Sequence, residues 1–395
     1  MADESRLRVL VVTTNFPLVQ RGDRTGNFVY DPVMALDAHV DQTVLMPNHA
    51  TMGAPVERLG RAVRVRRFAY WFPRRAMRLA HDDGIPSNLR ASWIARLQLP
   101  ALLAVYVWHL LVEVRRHDVV HAHWLPLALL AWPFARLFRR PLVVTLHGTD
   151  ITQFPDRFVA WGLRRMDVVV SAHDDLLGEV ARLAPSAPTA RIRHLVEPQP
   201  VDPDVLADVR AQLGDGPVAL FVARLSPERD PVSFVEAVPV ALELAPDARF
   251  AVVGDGPLRA DVEATIDRLG LRDRVTTFGH RPDVWTFLTA ADVFAALSDR
   301  TNVWVTAVVE AMRAGLPVVA TMSGLTADTL TDDSDALLVP IADAEAIGRA
   351  MGRLLAAPAE RARIAAGATA TLSEAGFDPD RVLDETLSLY VSLTA

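Results

Sequence analysis

A short apolar run, a loop and an amphipathic helix follow one another repeatedly along this chain. That alternation restricts it to α/β architectures built on parallel sheets. The segment Arg8-Val-Leu-Val-Val-Thr-Thr14 is apolar on both faces, as a strand covered by helices on each side must be. A loop with Gly22 and Gly26 follows, and then helical periodicity from about Phe28 to His39. Further strands are predicted at Thr43–Met46, Ala62–Arg66, Asp118–His121, Pro141–Leu146 and Asp167–Ser171. The rhythm stops over Ile192–Pro203, where Pro198, Pro200 and Pro203 disfavour helix and remove backbone donors. It restarts at Pro217-Val-Ala-Leu-Phe-Val-Ala223, with strands near Arg249–Val253, Val275–Phe278, Val293–Ala296, Pro317–Ala320 and Ala336–Val339. Residues 343–395 read as mainly helical. The expectation is two doubly wound, Rossmann-like halves: residues 1–197, residues 198–376, and a closing helix over 377–395 that packs back on the first half. Ligands of such sheets bind at the carboxyl ends of the strands, which makes the cleft between the halves the expected site.

Composition narrows the chemistry. The 395 residues contain no cysteine, which excludes disulfides, a thiolate nucleophile and cysteine metal sites. They also contain no lysine: all 41 basic residues are arginine. A net charge of −7 argues against nucleic acid as the main partner. Asp3 and Glu4 precede the first apolar run, unlike the basic start of a signal peptide. The most apolar stretch, Leu99–Val112, is too short to span a bilayer and contains Pro100 and His109. A cytosolic protein without a transmembrane helix is expected.

One region departs from the average charge. Arg61, Arg64, Arg66, Arg67, Arg74, Arg75 and Arg78 interleave with Phe68, Tyr70, Trp71 and Phe72, and Arg90 and Arg96 follow. Arginines and aromatics beside an apolar helix suit an anionic membrane surface or a lipid phosphate. The plainer reading, which is preferred, is a solvated arginine face over core aromatics.

Four segments carry candidate chemistry. Ala223-Arg224-Leu-Ser-Pro-Glu-Arg229-Asp230 lies between an apolar strand and a helix, so two arginines and helix amides could meet a diphosphate there. Its bland alternative is an ordinary surface loop. Val252-Val-Gly254-Asp255-Gly256-Pro257 is a strand-end turn whose glycines permit close approach of a ligand. Glu310 lies within a helix before a strand, where a buried carboxylate could accept from two ribose hydroxyls, or simply pair with a base. Finally, Asp118-Val-Val-His121-Ala-His123-Trp124 and Val143-Val-Thr-Leu-His147-Gly148-Thr149-Asp150 place histidines at strand ends. His121 reads as a satisfied core residue, His123 is open, and His147 beside Gly148 reads as an imidazole at the site.

In this order, these segments resemble the family-four retaining glycosyltransferases of the GT-B fold. The matching stretches are Asp118–Asp150, Arg224–Glu236, Val252–Arg259, Phe278-Gly279-His280 and Glu310-Ala-Met-Arg-Ala-Gly-Leu-Pro-Val-Val-Ala320. The resemblance implies that Arg224 and Arg229 clamp the donor diphosphate, Arg229 standing where the family has lysine. It implies that Glu310 binds ribose and that Thr306, Ala307 and Val308 present amides. His147 would lie near the transferred sugar and Gly26 near the donor. His280 and Arg281 would hold the nucleobase, bordered by Asp255 and Gly256. Asn302 stands where the first glutamate of the family's pair is expected, and Ala223, Asp230 and Val305 stand where glycines are expected.

The implied reaction moves a sugar from a nucleoside diphosphate to a glycan, lipid or small-molecule acceptor with retention. It involves no metal, cofactor or protein nucleophile, because basic side chains carry the leaving-group charge. Asp202-Pro-Asp204 and Asp378-Pro-Asp380 spell a metal motif of another glycosyltransferase fold and are read here as chance. Alternatives are a sugar-nucleotide epimerase, a phosphorylase (which would require the absent pyridoxal lysine) and a non-catalytic nucleotide-sugar-binding scaffold.

Overall fold

The computed structural model describes residues 6–17, 27–48, 55–80, 85–148, 151, 153–298, 306–323, 326 and 329–395. Gly22, Gly26, Thr149, Asp150, Asn302 and Val305 lie outside the described residues. The chain divides into two compact units, 1–195 with 380–395, and 196–379.

Among the described residues, the first unit is built on eight strands: β1 (Arg8–Val12), β2 (Asp41–Pro47), β3 (Val56–Leu59), β4 (Val63–Phe68), β5 (Val119–His123), β6 (Leu142–Thr145), β7 (Val168–Ser171) and β8 (Thr189–Arg191). Their order is β3-β4-β2-β1-β5-β6-β7-β8. Every pair is parallel except β3 with β4. Strand order reverses between β1 and β5, which makes their carboxyl ends the topological switch point of this sheet. The helices are α1 (Asn27–Ala35), α2 (Ile85–Ala91), α3 (Trp93–Val114), α4 (Leu125–Leu137), α5 (Asp156–Leu163) and α6 (Asp174–Leu183).

Two of these strands are absent from the sequence reading. β3 is an edge strand with exposed Val56 and Arg58, and β8 reads Thr-Ala-Arg; neither carries the apolar run that marks a buried strand. The first helix ends at Ala35 and tightens into a 3-10 turn over Leu36–Ala38, short of the predicted His39.

The apolar stretch near Leu99 belongs to a 22-residue helix, not to a short one. The helix begins at Trp93, capped by Ser92 Oγ accepting from Ala95 N at 3.4 Å, and runs through Pro100. By length and composition it is apolar enough to cross a membrane. Its inner face, however, belongs to the core: Ala95, Leu102, Tyr106, Leu110 and Val114 are buried. Tyr106 Oη donates to Thr13 O at 2.8 Å, with Leu45 O beside it at 3.2 Å.

The arginine-rich region splits between two fates. Arg67 is fully buried and is held by Glu57 and by Pro17 O at 3.3 Å. Arg66 pairs with the buried Glu113 of α3. Buried charge requires such partners, so these two arginines serve the fold, and Phe68 and Tyr70 join the core.

Among its described residues, the second unit has six parallel strands: β9 (Val218–Val222), β10 (Arg249–Val253), β11 (Val275–Gly279), β12 (Val293–Ala296), β13 (Val318–Thr321) and β14 (Leu337–Val339). Their order is β11-β10-β9-β12-β13-β14, so the switch point falls between β9 and β12. The helices are α7 (Pro203–Leu213), α8 (Pro231–Leu244), α9 (Arg259–Arg268), α10 (Val284–Ala290), α11 (Thr306–Arg313), α12 (Ala344–Ala356) and α13 (Pro358–Glu374). Two apolar clusters fill the two sides of the sheet, one around Phe294 and Met312 and one around Phe221, Phe234 and Phe250. Asp202, in the first Asp-Pro-Asp motif, caps α7, accepting from Asp204 N at 2.9 Å and Val205 N at 3.4 Å.

The last helix, α14 (Pro379–Thr394), belongs to the first unit. Val382, Thr386 and Tyr390 are its buried positions.

Candidate functional site

In the second unit, the loops after β9, β10 and β11 are bonded to one another at the carboxyl edge of the sheet. Ala223 N donates to Val253 O at 3.1 Å, Leu225 N to Asp255 O at 3.0 Å, Leu258 N to Leu225 O at 2.9 Å and Gly254 N to Gly279 O at 2.8 Å. This approach depends on glycine. Gly254 has φ +146°, and a Cβ there would lie 1.8 Å from Ala223 O. A Cβ on Gly256 would lie 2.4 Å from Leu225 O. Arg224, Asp255, Gly256, His280 and Arg281 are thus brought to one sheet edge by backbone bonds.

Their side chains differ in what they can offer a ligand. Arg224 and His280 are exposed. Asp255 is occupied by its own turn, accepting from Gly256 N at 2.8 Å and Arg259 at 3.0 Å. Arg281 grips Asp283 through two bonds of 2.8 and 2.6 Å, and its guanidinium lies 5.0 Å from the Phe287 ring centroid. A base held there would meet the outer face of an ion pair rather than an uncommitted arginine.

Arg229 sits at the switch point. It ends a 3-10 turn, Pro227–Arg229, and Ser298 Oγ, just past β12, donates to Glu228 O of that turn at 3.1 Å. Asp230 follows in the left-handed region (φ 47°, ψ 50°) and caps α8 through Ser233 N at 3.4 Å. Burial lowers the Arg229 pKa and the adjacent Glu228 opposes that shift. Among the described residues, Arg229 Nη1 and Asp230 Oδ2 are buried without hydrogen-bond partners. A buried guanidinium donor left unpaired is costly. Here it lies beside the start of a helix, where an anion would satisfy it.

Thr306 opens α11, and Ala307 and Val308 are buried in its first turn. Glu310 is half-buried in the same helix. Asn302 and Gly26 lie outside the described residues.

In the first unit, the carboxyl ends of β5 and β6 carry a stack of histidines. His123 Nδ1 lies 3.0 Å from His147 Nε2, and the rings are nearly parallel at 5.2 Å. His121 stacks on His123 at 4.9 Å, and His194 on His147 at 6.2 Å. Phe28 and Trp124 close round His147, with ring centroids 4.7 and 5.0 Å away. Trp124 has φ 72° and ψ 135°, an unusual conformation for a bulky residue and one held by its surroundings.

Burial pushes every one of these imidazoles toward the neutral form. It lowers His123 and His147 well below the usual histidine range, reinforced by neighbouring histidines, and pushes His121 to about 4 and His194 to about 3. Neutral imidazoles 3.0 Å apart form one N–H···N bond, which fixes the tautomers as a pair. His147 is therefore suited to positioning through hydrogen bonds, not to acting as a cationic acid. His173 meets His194 edge-on, with ring centroids 5.5 Å apart; sequence reading picked out neither, since both lie in segments without a motif and only the fold brings them here.

Comparisons with known proteins bear on the fold and the reaction class. A family profile described as glycosyl transferases group 1 matches residues 207–371. A 2-deoxystreptamine N-acetyl-D-glucosaminyltransferase from Streptomyces fradiae is 31% identical over 382 residues, covering 87% of this chain and 85% of that protein. A 2-deoxystreptamine glucosyltransferase from Streptomyces kanamyceticus is 31% identical over 283 residues, covering 63% of this chain and 71% of that protein. Among solved structures, sucrose-phosphate synthase from Thermosynechococcus elongatus shares the fold with a TM-score of 0.76 at 20% identity, over 98% of this chain and 99% of that one. Two doubly wound units of the GT-B kind, matched along most of their length by named transferases, identify the chain as a member of the group 1 (family-four) glycosyl transferases, a nucleotide-sugar-dependent glycosyltransferase.

Proposed function

We propose that this enzyme transfers a hexosyl group, with retention of configuration, from a nucleoside diphosphate sugar to a hydroxyl of a compact polyhydroxylated ring. The observation that carries the donor half is the unpaired Arg229 Nη1, buried at the β9/β12 switch point beside the start of α8. An anionic diphosphate is the ligand chemistry that such a group calls for.

Arg224 and Arg229 stabilise the charge that builds on the departing diphosphate, with the amides of Thr306, Ala307 and Val308 beside them. Glu310 accepts from the ribose hydroxyls. His280 and the Arg281–Asp283 pair border the base, with Asp255 and Gly256 shaping the turn. His147 positions the transferred sugar. No metal takes part, since two guanidinium groups supply the positive charge. The work is cytoplasmic.

The acceptor half rests on the two relatives, whose names both specify 2-deoxystreptamine, an aminocyclitol. Their being transferases also disfavours the epimerase and scaffold readings. Incubation with UDP-, GDP- and ADP-hexoses and a panel of aminocyclitols and inositols, read by NMR, tests the reading. It expects one donor to be consumed and the anomeric coupling of the product to match that of the donor. An inverted product, or nucleotide sugar hydrolysed or epimerised without transfer, would overturn it. A peripheral contact with a membrane belongs to the same reading.

A further inference from the structure

The outer face of α3 is as apolar as its inner one. Trp93, Leu97 and Trp108 are 69%, 59% and 63% exposed, and they recur at a spacing that places them on one side of the helix with the exposed Pro100 and Ala104. A tryptophan therefore stands near each end of an uncovered apolar stripe. Phe72, 89% exposed, lies in the loop between β4 and α2. That loop is fastened to the same helix: Gln98 Nε2 donates to Ala76 O at 2.6 Å, and Arg78 N donates to Gln98 Oε1 at 2.9 Å.

Among the described residues, the charge around this stripe has one sign. Arg74, Arg75, Arg78, Arg90 and Arg96 are all exposed. The described residues from Phe68 to Leu111 contain no carboxylate side chain. Asp82 and Asp83, the only acids in that stretch of sequence, lie outside the described residues. Arg66 and Arg67, which the sequence also suggested for this role, are spent on Glu113 and Glu57.

We infer that the outer face of α3, with the Phe72 loop, docks on an anionic lipid bilayer, lying in the plane of the interface. An exposed apolar patch marks an interaction surface. Tryptophans at its ends suit the headgroup boundary, and a rim of arginines suits negatively charged lipid. A second copy of the chain would meet the same arginines and be repelled, which makes self-association the weaker reading of this face. The inference deepens the peripheral-contact part of the proposed function but does not depend on the transfer reaction, because binding is read without substrate.

The test is co-sedimentation of the full chain with phosphatidylcholine vesicles, with and without phosphatidylglycerol, across a salt series. Binding to the anionic vesicles alone, weakening as salt rises, is expected. Each arginine near an anionic surface contributes roughly a fivefold factor in partitioning. Replacing Arg74, Arg75 and Arg78 with Gln should then weaken binding roughly a hundredfold. Trp93→Gln with Trp108→Gln should also weaken it, while thermal unfolding stays close to that of the parent. Quenching of tryptophan fluorescence by acyl-chain-brominated phosphatidylglycerol provides a readout without any substitution. No sedimentation with anionic vesicles, equal binding to neutral ones, or an exposed-face dimer abolished by the tryptophan changes would each overturn the inference.

Discussion

Tyr390 Oη lies 2.6 Å from His121 Nδ1, joining two residues 269 positions apart in the chain. His121 Nε2 meets Thr145 Oγ1 at 2.7 Å on its other side. Through this chain of bonds the last helix is tied to the strand that carries His123, and His123 in turn bonds His147. The C-terminal residues 380–395 are part of the first unit because of contacts such as these. Tyr390→Phe removes one bond and leaves a buried imidazole nitrogen unpaired. It should destabilise the first unit by about 1–3 kcal/mol, measured by denaturant unfolding. A change below about 0.5 kcal/mol would mean that the bond contributes little.

The histidine stack makes the fold sensitive to acid. An unfolded histidine titrates near 6.5, whereas burial holds His121 near 4 and His194 near 3 in the folded protein. The folded state therefore takes up these protons later than the unfolded state. The stability they confer is full above about pH 6.5 and is lost as pH falls toward about 4 and then about 3. His121 alone accounts for roughly 2–4 kcal/mol across that window. Midpoints of thermal unfolding measured from pH 7 to 4 should fall. His121→Gln should lower stability at pH 7 but flatten the slope. A parent curve that is flat over this range would contradict the account.

The turn at Gly254 should admit nothing larger. Gly254→Ala places a methyl carbon 1.8 Å from Ala223 O, so the loop carrying Arg224 must move. A loss of about 2 kcal/mol or more in stability is expected, with weakened nucleotide binding. Gly270, which also has positive φ (+67°), has nothing within 4 Å of the added carbon and serves as the control. Gly270→Ala should show only backbone strain and leave nucleotide affinity intact.

Asp230 separates two effects in one residue. It is left-handed, which costs a non-glycine residue, but it also caps α8. Asp230→Gly relieves the first and loses the second, and should change stability by less than about 1 kcal/mol. Asp230→Ala loses the cap and keeps the strain, and should cost about 1–2 kcal/mol. Equal effects of the two substitutions, compared by denaturant unfolding, would show that the backbone conformation contributes nothing.

Much of this fold is legible in the sequence because its strands are buried on both faces and read as apolar runs. β10 and β12 fall on the predicted residues, Arg249–Val253 and Val293–Ala296. What escapes is what has no local signature. β3 and β8 form the edges of a sheet and lack apolar runs. The burial of Arg67 depends on Glu57 in a strand that sequence does not reveal. For the candidate site, Arg224, Arg229 and the Gly254 turn announce themselves at strand ends, whereas the contribution of His194 is a tertiary fact; the Arg281–Asp283 pair is local, two residues apart, but carries no motif that marks it in the sequence. Asp255, expected at the border of the base, braces its own turn.

On the proposed reading, the second unit binds a nucleoside diphosphate through Arg224 and Arg229. Calorimetric titration with UDP, GDP and ADP of the parent, Arg224→Ala and Arg229→Ala tests it directly. Hydrogen bonds to charged groups are worth about 1.5–3 kcal/mol. One nucleotide should therefore bind the parent, and each substitution should weaken it roughly tenfold to a hundredfold. Unchanged affinity in both variants, or no binding of any of the three nucleotides at millimolar concentration, would contradict the account.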